Sequence, residues 1–323
     1  MMMAQHNDGI EPMYVPFDYV VNSFSRENNL FRFLRNGCHV SESDLERLQC
    51  RYLVGSTKDG SIIYWQLDFN GNAHSGKIMQ YDAATGHRVK NSHAVSWVHS
   101  KLIQTGKLTN DFVLSQCLFG EHILHSDPIN NVVAIVESEK SALLGSLVYP
   151  QYTWLATGGK CNLTPHKTSA LVNRTVILFP DVDAYDEWKK RARHLFLPKR
   201  VIVSDLLQRI ASDDERKKKI DIGDWLIEAL KARASEKGMD ADKAKPPWYL
   251  LGKPRRAPCP SRVIAHYDPK GPCVQGAELP LTFDGGFAPR PYCKKYDFSN
   301  QFNKPFLYYA KNKHQHSTYE GRQ

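Results

Sequence analysis

The sequence predicts an α/β protein, with a parallel sheet flanked by helices and, before it, a small α+β lobe that contains an antiparallel sheet. Between residues 132 and 204 short apolar runs alternate with helical stretches, a rhythm typical of βαβ units. Earlier in the chain, β-rich runs are separated by tight-turn residues such as Asn70-Gly71, which favours antiparallel hairpins. A length of 323 residues allows about two such domains.

The first lobe is assigned to residues 1–126. Apolar residues at helical spacing over 17–36 predict helix, and Ser41 followed by Asp44 is typical of a capping box that opens another. Strands are expected within 51–57, 61–69 and 76–82, and helices within 97–103 and 112–119.

The second domain is assigned to residues 127–238. Its strands are expected at 132–137, 153–157, 175–180 and 200–204, and its helices at 139–148, 184–195 and 225–238.

Residues 239–323 form a third region, rich in proline, basic and aromatic residues. Its composition predicts an extended arm, a small irregular module or a partly disordered segment. Basic and aromatic side chains alternate there in a way that suits base stacking and phosphate contact: Trp248, Tyr249, Arg255, Arg256, Tyr292, Lys294, Lys295 and Tyr296.

Composition narrows the class of protein. The net charge of +9 favours a polyanionic partner. The seven cysteines are scattered and never form a C-x-x-C pair, which argues against a disulfide framework or a zinc ribbon and suits a reducing cytosol. Neither a secretory signal nor an apolar run of about 18 residues is present, so a cytoplasmic protein without membrane contact is expected.

Carboxylates follow two of the predicted parallel strands. Glu137 ends the first strand, and Asp181 and Asp183 come directly after the third. The carboxyl ends of parallel strands meet at one edge of a sheet, and one intervening strand allows the first and third to be neighbours. Acids gathered there would raise one another's pKa unless a cation such as Mg²⁺ were bound, so the pattern predicts a magnesium site that handles phosphates. Taken singly, Glu137 could serve the helix dipole, and the two aspartates could be N-caps.

These motifs carry a resemblance. The run ESEK after an apolar strand, the turn LATGGKCNL and the run DVD after a later strand resemble the Toprim domain, which bacterial primases, topoisomerases and some nucleases share. The resemblance implies that Glu137 is a general acid or base, and that Asp181 and Asp183 bind Mg²⁺, with Mn²⁺ as a substitute. The later run KKKIDIGDWLIEAL resembles a segment that follows the last Toprim strand in primase-like proteins, which makes Asp221 and Asp224 supporting acids.

Further residues around the motif have supporting roles. Glu139 and Lys140 are expected in the first turn of a helix, Gly158 and Gly159 in a tight turn near the metal, and Lys160 beside phosphate. The run GGK is not a phosphate-binding P-loop, because Trp154 stands where that motif needs its first glycine.

Segments before the Toprim-like region show a further resemblance, and a few residues depart from the Toprim pattern. Residues 63–88 and 116–124 resemble an uncharacterised family of mobile-element proteins that is regarded as primase-like. Ser138 and Asp186 stand where the Toprim pattern prefers glycine, and a paired Cys/His zinc module is missing from the sequence.

Three functions are consistent with these residues. The first is a Toprim-type enzyme of a mobile element that carries out Mg²⁺-dependent phosphoryl transfer, in the form of primase-like nucleotidyl transfer. It would act on DNA or RNA, single-stranded DNA being favoured, and would use nucleoside triphosphates. The second is a nuclease that uses the same acids, and the third is a nucleic-acid-binding accessory protein without turnover. The basic runs 189–193 and 215–219 are solvated helix faces or guides for a nucleic-acid backbone.

Overall fold

A computed structural model describes residues 12–90 and 94–236 of the chain. It contains a four-stranded antiparallel sheet, followed along the chain by a four-stranded parallel sheet with helices around it. The predicted fold class is therefore confirmed. The region 239–323, with its eight singled-out basic and aromatic residues, lies outside the described residues.

The N-terminal part builds the antiparallel sheet in the order β1-β2-β3-β4. Three helices precede this sheet in the chain, and a fourth helix follows its last strand directly. The elements are α1 (Asp18–Ser23), α2 (Asn29–Gly37), α3 (Glu42–Tyr52), β1 (Gly55–Ser56), β2 (Ile62–Leu67), β3 (Ala73–Met79), β4 (Val95–Trp97) and α4 (Val98–Gln104).

Local chemistry explains the helix boundaries. The predicted helix over 17–36 is interrupted, because the Asn28 side chain accepts a hydrogen bond from Phe31 N and so starts α2 afresh. Ser41 caps α3 as predicted, through Asp44 N. The strand expected at 51–57 is wrong for most of its length, since α3 continues through Tyr52 and leaves only two residues for β1.

The helix predicted over 112–119 is also wrong. The segment is irregular and ends in an antiparallel bridge between Phe119 and Ala156, made by N–H···O bonds of 2.9 and 3.1 Å in the two directions. Phe119 does not pack on one face of a helix. Its ring instead contacts Tyr52 and Tyr64, and these contacts join the two halves of the protein.

The second part builds the parallel sheet in the order β6-β5-β7-β8. The first and third of these strands in sequence, β5 and β7, are neighbours, as the spacing of the carboxylates allows. Helices α7 and α8 were not predicted, and α6 and α9 differ by a few residues from expectation. The elements are β5 (Val133–Val136), α5 (Glu139–Val148), β6 (Thr153–Ala156), β7 (Thr175–Leu178), α6 (Tyr185–Ala192), β8 (Arg200–Val203), α7 (Leu206–Ile210), α8 (Asp213–Lys218) and α9 (Ile222–Glu236), with 3₁₀ turns at Glu121–His125, Lys160–Asn162 and Ser169–Leu171.

A single hydrophobic cluster connects the two sheets. Tyr64 and Tyr81 from the antiparallel half belong to the same buried cluster as Ala134 and Trp154 from the parallel half. Phe119 stacks on Tyr52 at 5.2 Å and meets Tyr64 edge-on at 5.3 Å. Burial of this many large apolar groups stabilises both halves together.

Among the helices of the described residues, none has both the length and the apolar character needed to cross a bilayer.

Candidate active site

The neighbouring strands β5 and β7 bring two carboxylates together. Glu137 follows β5 directly and Asp181 lies three residues after β7, and Asp181 N donates to Glu137 Oε1 at 3.3 Å. Glu137 is buried, and this burial raises the pKa of its carboxyl group to about 7 against the lowering effect of the Asp181 N–H. A carboxyl group with such a pKa can accept or release a proton near neutrality.

Asp181 is the most strongly perturbed acid of this edge. Burial, followed by the negative charges of Glu137, Asp221, Asp183 and Asp224, raises the pKa of Asp181 to about 9. Four of the acids that the sequence singles out thus act electrostatically on Asp181 at one end of the parallel sheet.

Asp183 lies on the exposed side of this group and is paired with lysines. Its Oδ2 is 3.3 Å from Lys219 Nζ and 3.7 Å from Lys160 Nζ, and Lys160 Nζ also donates to the Asp183 carbonyl oxygen at 2.5 Å. The alternative in which Asp183 is an N-cap is wrong, because α6 is capped at Ala184 without any side-chain hydrogen bond.

Asp221 and Asp224 open α9 and bond to each other's backbone. Asp224 N donates to Asp221 Oδ1 at 3.0 Å, Asp221 N donates to Asp224 Oδ2 at 3.3 Å, and Ser141 Oγ of α5 donates to Asp221 Oδ2 at 3.3 Å. Burial and the charge of Asp221 raise the pKa of Asp224, while the charge of Lys140 opposes the rise. Gly223 permits the close approach, since a Cβ there would lie 2.6 Å from Ser141 Oγ.

The predicted tight turn lies beside Glu137. Gly158 has φ +79°, its N–H donates to the Glu137 carbonyl oxygen at 2.9 Å, and a Cβ on it would lie 3.0 Å from Glu139 Oε1. Gly159 accepts a hydrogen bond from Thr157 Oγ1 at 2.9 Å through its carbonyl oxygen. Glycine suits position 158 because the backbone has a positive φ there and because Glu139 leaves no room for a side chain.

Glu139 and Lys140 occupy the first turn of α5, as expected, with Ser138 as the N-cap. Both side chains are buried, which the sequence does not indicate. Lys77 of β3 explains the burial of Glu139: its Nζ lies 3.2 and 3.1 Å from the two carboxylate oxygens.

Several residues that contact the site were not predicted from the sequence. Gln208 of α7 holds the loop between the two aspartates by donating to the Val182 carbonyl oxygen at 2.6 Å, and Lys77 arrives from the other sheet. Neither has a sequence motif. Lys219 could have been found, because it ends the basic run that precedes Asp221.

The donor set suits a divalent cation in its chemistry. Carboxylate oxygens are the ligands that Mg²⁺ prefers, and in the described part of the chain neither Glu137 nor Asp181 has a cationic side chain within ion-pair distance. As the side chains stand, no three His, Cys, Asp or Glu residues of 12–90 and 94–236 are close enough together to hold a metal ion. The acids therefore fit the ion by charge and ligand type, and side-chain rearrangement is needed to bring three of them to one ion.

Comparison with known proteins gives one family and several structures. Residues 28–182 match the family described as a domain of unknown function, DUF6371. No curated protein matches the chain.

Among solved structures, the chain is similar to a DnaG primase catalytic domain bound to ssDNA (10% identity, TM-score 0.39, 69% of this chain and 83% of that one). It is also similar to the primase fragment of the bacteriophage T7 primase-helicase protein (15% identity, TM-score 0.33, 54% of this chain and 70% of that one). A third similar structure is the Escherichia coli primase catalytic core (11% identity, TM-score 0.33, 70% of this chain and 80% of that one). At these identities and TM-scores the similarity carries no argument about what the chain does.

Proposed function

We propose that the chain is a Toprim-type enzyme of a mobile genetic element that transfers phosphoryl groups on nucleic acid, in a primase-like nucleotidyl transfer. The observation that carries this proposal is the approach of Asp181, after β7, to Glu137, after β5, where the backbone N–H of Asp181 donates to Glu137 Oε1 at 3.3 Å. The order of motifs along the chain, Glu137, then the Gly158 turn, then Asp181 and Asp183, supports it through the resemblance to Toprim proteins.

Mg²⁺, with Mn²⁺ as a substitute, is the cofactor in this proposal. Asp181 and Asp183 would hold it, Glu137 would assist proton transfer or bind a second ion, and Asp221 and Asp224 would be supporting acids whose charges act on Asp181. When bound, the ion would polarise phosphate oxygens and neutralise the charge that develops during the transfer.

The chain's own residues have distinct tasks. Glu137, with a pKa raised to about 7 by burial, would accept the proton of the attacking 3′-hydroxyl. Lys160 and Lys219, which pair with Asp183 at present, would be freed to contact phosphate oxygens once the aspartate turns towards a cation. The loop that carries these groups is held by Trp188, whose Nε1 donates to the Lys160 carbonyl oxygen at 3.0 Å.

The partners in this proposal are DNA or RNA, with single-stranded DNA favoured, and nucleoside triphosphates. The basic surplus of the sequence supports a polyanionic partner. Most of that surplus lies in residues 237–323, which contain 15 lysines and arginines against seven acids.

The decisive experiment measures Mg²⁺-dependent primer synthesis on single-stranded DNA with nucleoside triphosphates. Asp181→Asn should abolish the synthesis, while Asp186→Asn on the exposed first turn of α6 should leave it unchanged. Synthesis that survives in Asp181→Asn would refute the assignment.

Two other outcomes identify the alternatives. Cleavage of labelled DNA without nucleotides, lost in Asp181→Asn, would identify a nuclease. Salt-sensitive DNA binding without turnover, unaffected by Glu137→Gln, would identify an accessory protein. The accessory-protein alternative is favoured by one observation, namely that Asp183 is engaged by two lysines.

A further inference from the structure

Four exposed apolar residues lie in the loops at the edge of the parallel sheet opposite to the carboxylates. Ile129 precedes β5, Val172 precedes β7, and Phe196 and Leu197 precede β8, so all four are at the amino ends of the strands. Their exposed fractions are 51%, 44%, 79% and 48%, and they are half of the eight large hydrophobic residues that are exposed among those described.

Hydrogen bonds hold the three loops against one another. Asn173 N donates to the Leu197 carbonyl oxygen at 3.0 Å, and Lys199 N donates to the Arg174 carbonyl oxygen at 3.0 Å. The Arg174 guanidinium, itself buried, donates to the carbonyl oxygens of Leu124, Asp127 and Pro128 and so ties in the turn that carries Ile129. These hydrogen bonds hold together the loops that carry the four apolar side chains.

The surroundings of this surface are strongly basic. Between Trp188 and Ser204 the chain has six lysines and arginines, one histidine and not a single acid. Lys199 and Arg200 follow the exposed pair Phe196 and Leu197 after one proline, and both are exposed. We call Ile129, Val172, Phe196, Leu197, Lys199 and Arg200 the basic-apolar face.

The chemistry of the face selects its occupant. Exposed apolar patches rimmed by charge mark protein interaction sites. Nucleic acid suits the face poorly, because three of its four apolar side chains are aliphatic and offer no ring on which a base can stack. The chain's own residues 237–323 carry 15 basic residues against seven acids, and like charge opposes their docking here.

We propose that the basic-apolar face binds an acidic peptide segment of a partner protein that carries bulky apolar side chains. The apolar side chains of the segment would cover Phe196 and Leu197, and its carboxylates would pair with Lys199 and Arg200. This places a protein-docking surface at the end of the sheet remote from the carboxylates, so that a partner can bind without obstructing them.

The test is selection of random displayed peptides against the full chain, followed by fluorescence anisotropy with the most enriched peptide. Enriched peptides should be acidic and contain Phe, Leu, Ile or Trp. The Phe196→Ser/Leu197→Ser variant and the Lys199→Glu/Arg200→Glu variant should each lose at least about tenfold in affinity. The matched control, Phe69→Ser/Val95→Ser, changes two exposed apolar residues in the other half of the chain and should bind as the unaltered protein does.

Charge reversal provides the second measurement. A peptide in which the acids are replaced by lysines should bind Lys199→Glu/Arg200→Glu better than it binds the unaltered chain, a gain that a folding defect could not produce. The proposal is overturned if the enriched peptides are neutral or basic, or if no peptide is enriched. It is also overturned if the two apolar substitutions abolish binding of an oligothymidylate, or dissociate a dimer of the chain in sedimentation, without weakening the peptide.

Discussion

Lys77 of the antiparallel sheet forms an ion pair with Glu139 at the start of α5, with Nζ 3.1 Å from Oε2. Lys77 Nζ also donates to the Gly158 carbonyl oxygen at 3.3 Å, and Gly158 N donates to the Glu137 carbonyl oxygen. One lysine of the first half therefore positions both the helix and the turn that flank Glu137.

Lys77→Met should destabilise the protein by about 3 kcal/mol, because Glu139 would be left buried without its partner. Lys101→Met, which changes an exposed lysine of α4, should cost less than about 0.5 kcal/mol. Urea unfolding measures both. The double variant Lys77→Met/Glu139→Gln should recover part of the stability, and equal destabilisation by Lys77→Met and Lys101→Met would contradict the buried pair.

Gly158→Ala should cost about 2 kcal/mol, since it combines positive φ with a Cβ placed 3.0 Å from Glu139 Oε1. Gly106→Ala is a matched control at φ +66°, where a Cβ meets nothing within 4 Å, and should cost about 1 kcal/mol. The difference in free energy of unfolding between the two variants isolates the contact with Glu139. If Gly106→Ala proves the more costly, the crowding at Gly158 is refuted.

Asp181→Asn should stabilise the metal-free protein. Burial and like charges raise the pKa of Asp181 to about 9, so at pH 8 the carboxyl group must take up a proton on folding, and the neutral amide avoids that cost. We expect a gain of at least about 1 kcal/mol, or roughly 2–4 °C in Tm, in thermal unfolding with EDTA at pH 8. Added Mg²⁺ should raise the Tm of the unaltered chain and not that of the variant. A Tm response to Mg²⁺ that is the same in both would speak against the metal role of Asp181.

The raised pKa of Glu121, which lies away from the site, predicts that the stability of the protein depends on pH. Burial raises the pKa of Glu121 to about 7, although its two carboxylate oxygens accept from Phe69 N and Leu118 N. A folded pKa above the ordinary value of 4.5 means that its contribution to stability is complete below pH 4.5 and is lost as pH rises through 7.

Glu121→Gln should therefore be less stable than the unaltered protein at pH 5, by about 1 kcal/mol for the removal of one backbone acceptor. The gap should close or reverse at pH 8, where the unaltered carboxylate is ionised. Urea unfolding at the two pH values provides the comparison, and a gap that does not change with pH would show that Glu121 ionises normally.

The basic surplus of residues 237–323 predicts where salt sensitivity arises. Replacing Arg255, Arg256, Lys294 and Lys295 by glutamine should lower the slope of log affinity against log salt for single-stranded DNA, by about 0.7 for each phosphate that is no longer neutralised. Replacing the exposed Lys101 together with Lys58 should leave the slope unchanged. Equal slopes in all three proteins would exclude residues 237–323 as the segment that binds the polyanion.

The parallel half could be predicted well because its signals are local. Each strand is a short apolar run, and acids follow β5 and β7, so the rules of connection predict the sheet edge at which the acids gather and allow β5 and β7 to be neighbours. The order β6-β5-β7-β8 places these two strands side by side.

The remainder depends on contacts between residues far apart in sequence. Phe119 fits a helical pattern, yet it pairs with Ala156 and stacks on Tyr52. Lys77 has no motif, and its role arises only when the two sheets pack. The ion pair between Asp183 and Lys219 likewise depends on how the segment before α9 packs near the end of β7, which no local pattern specifies.

The packed aromatic residues between the sheets couple the stability of the two halves. Tyr52 donates from its hydroxyl to the Trp154 carbonyl oxygen at 2.9 Å, and its ring stacks on Phe119. Because these contacts join the helices of the first half to the parallel sheet, we expect both halves to unfold in one cooperative transition.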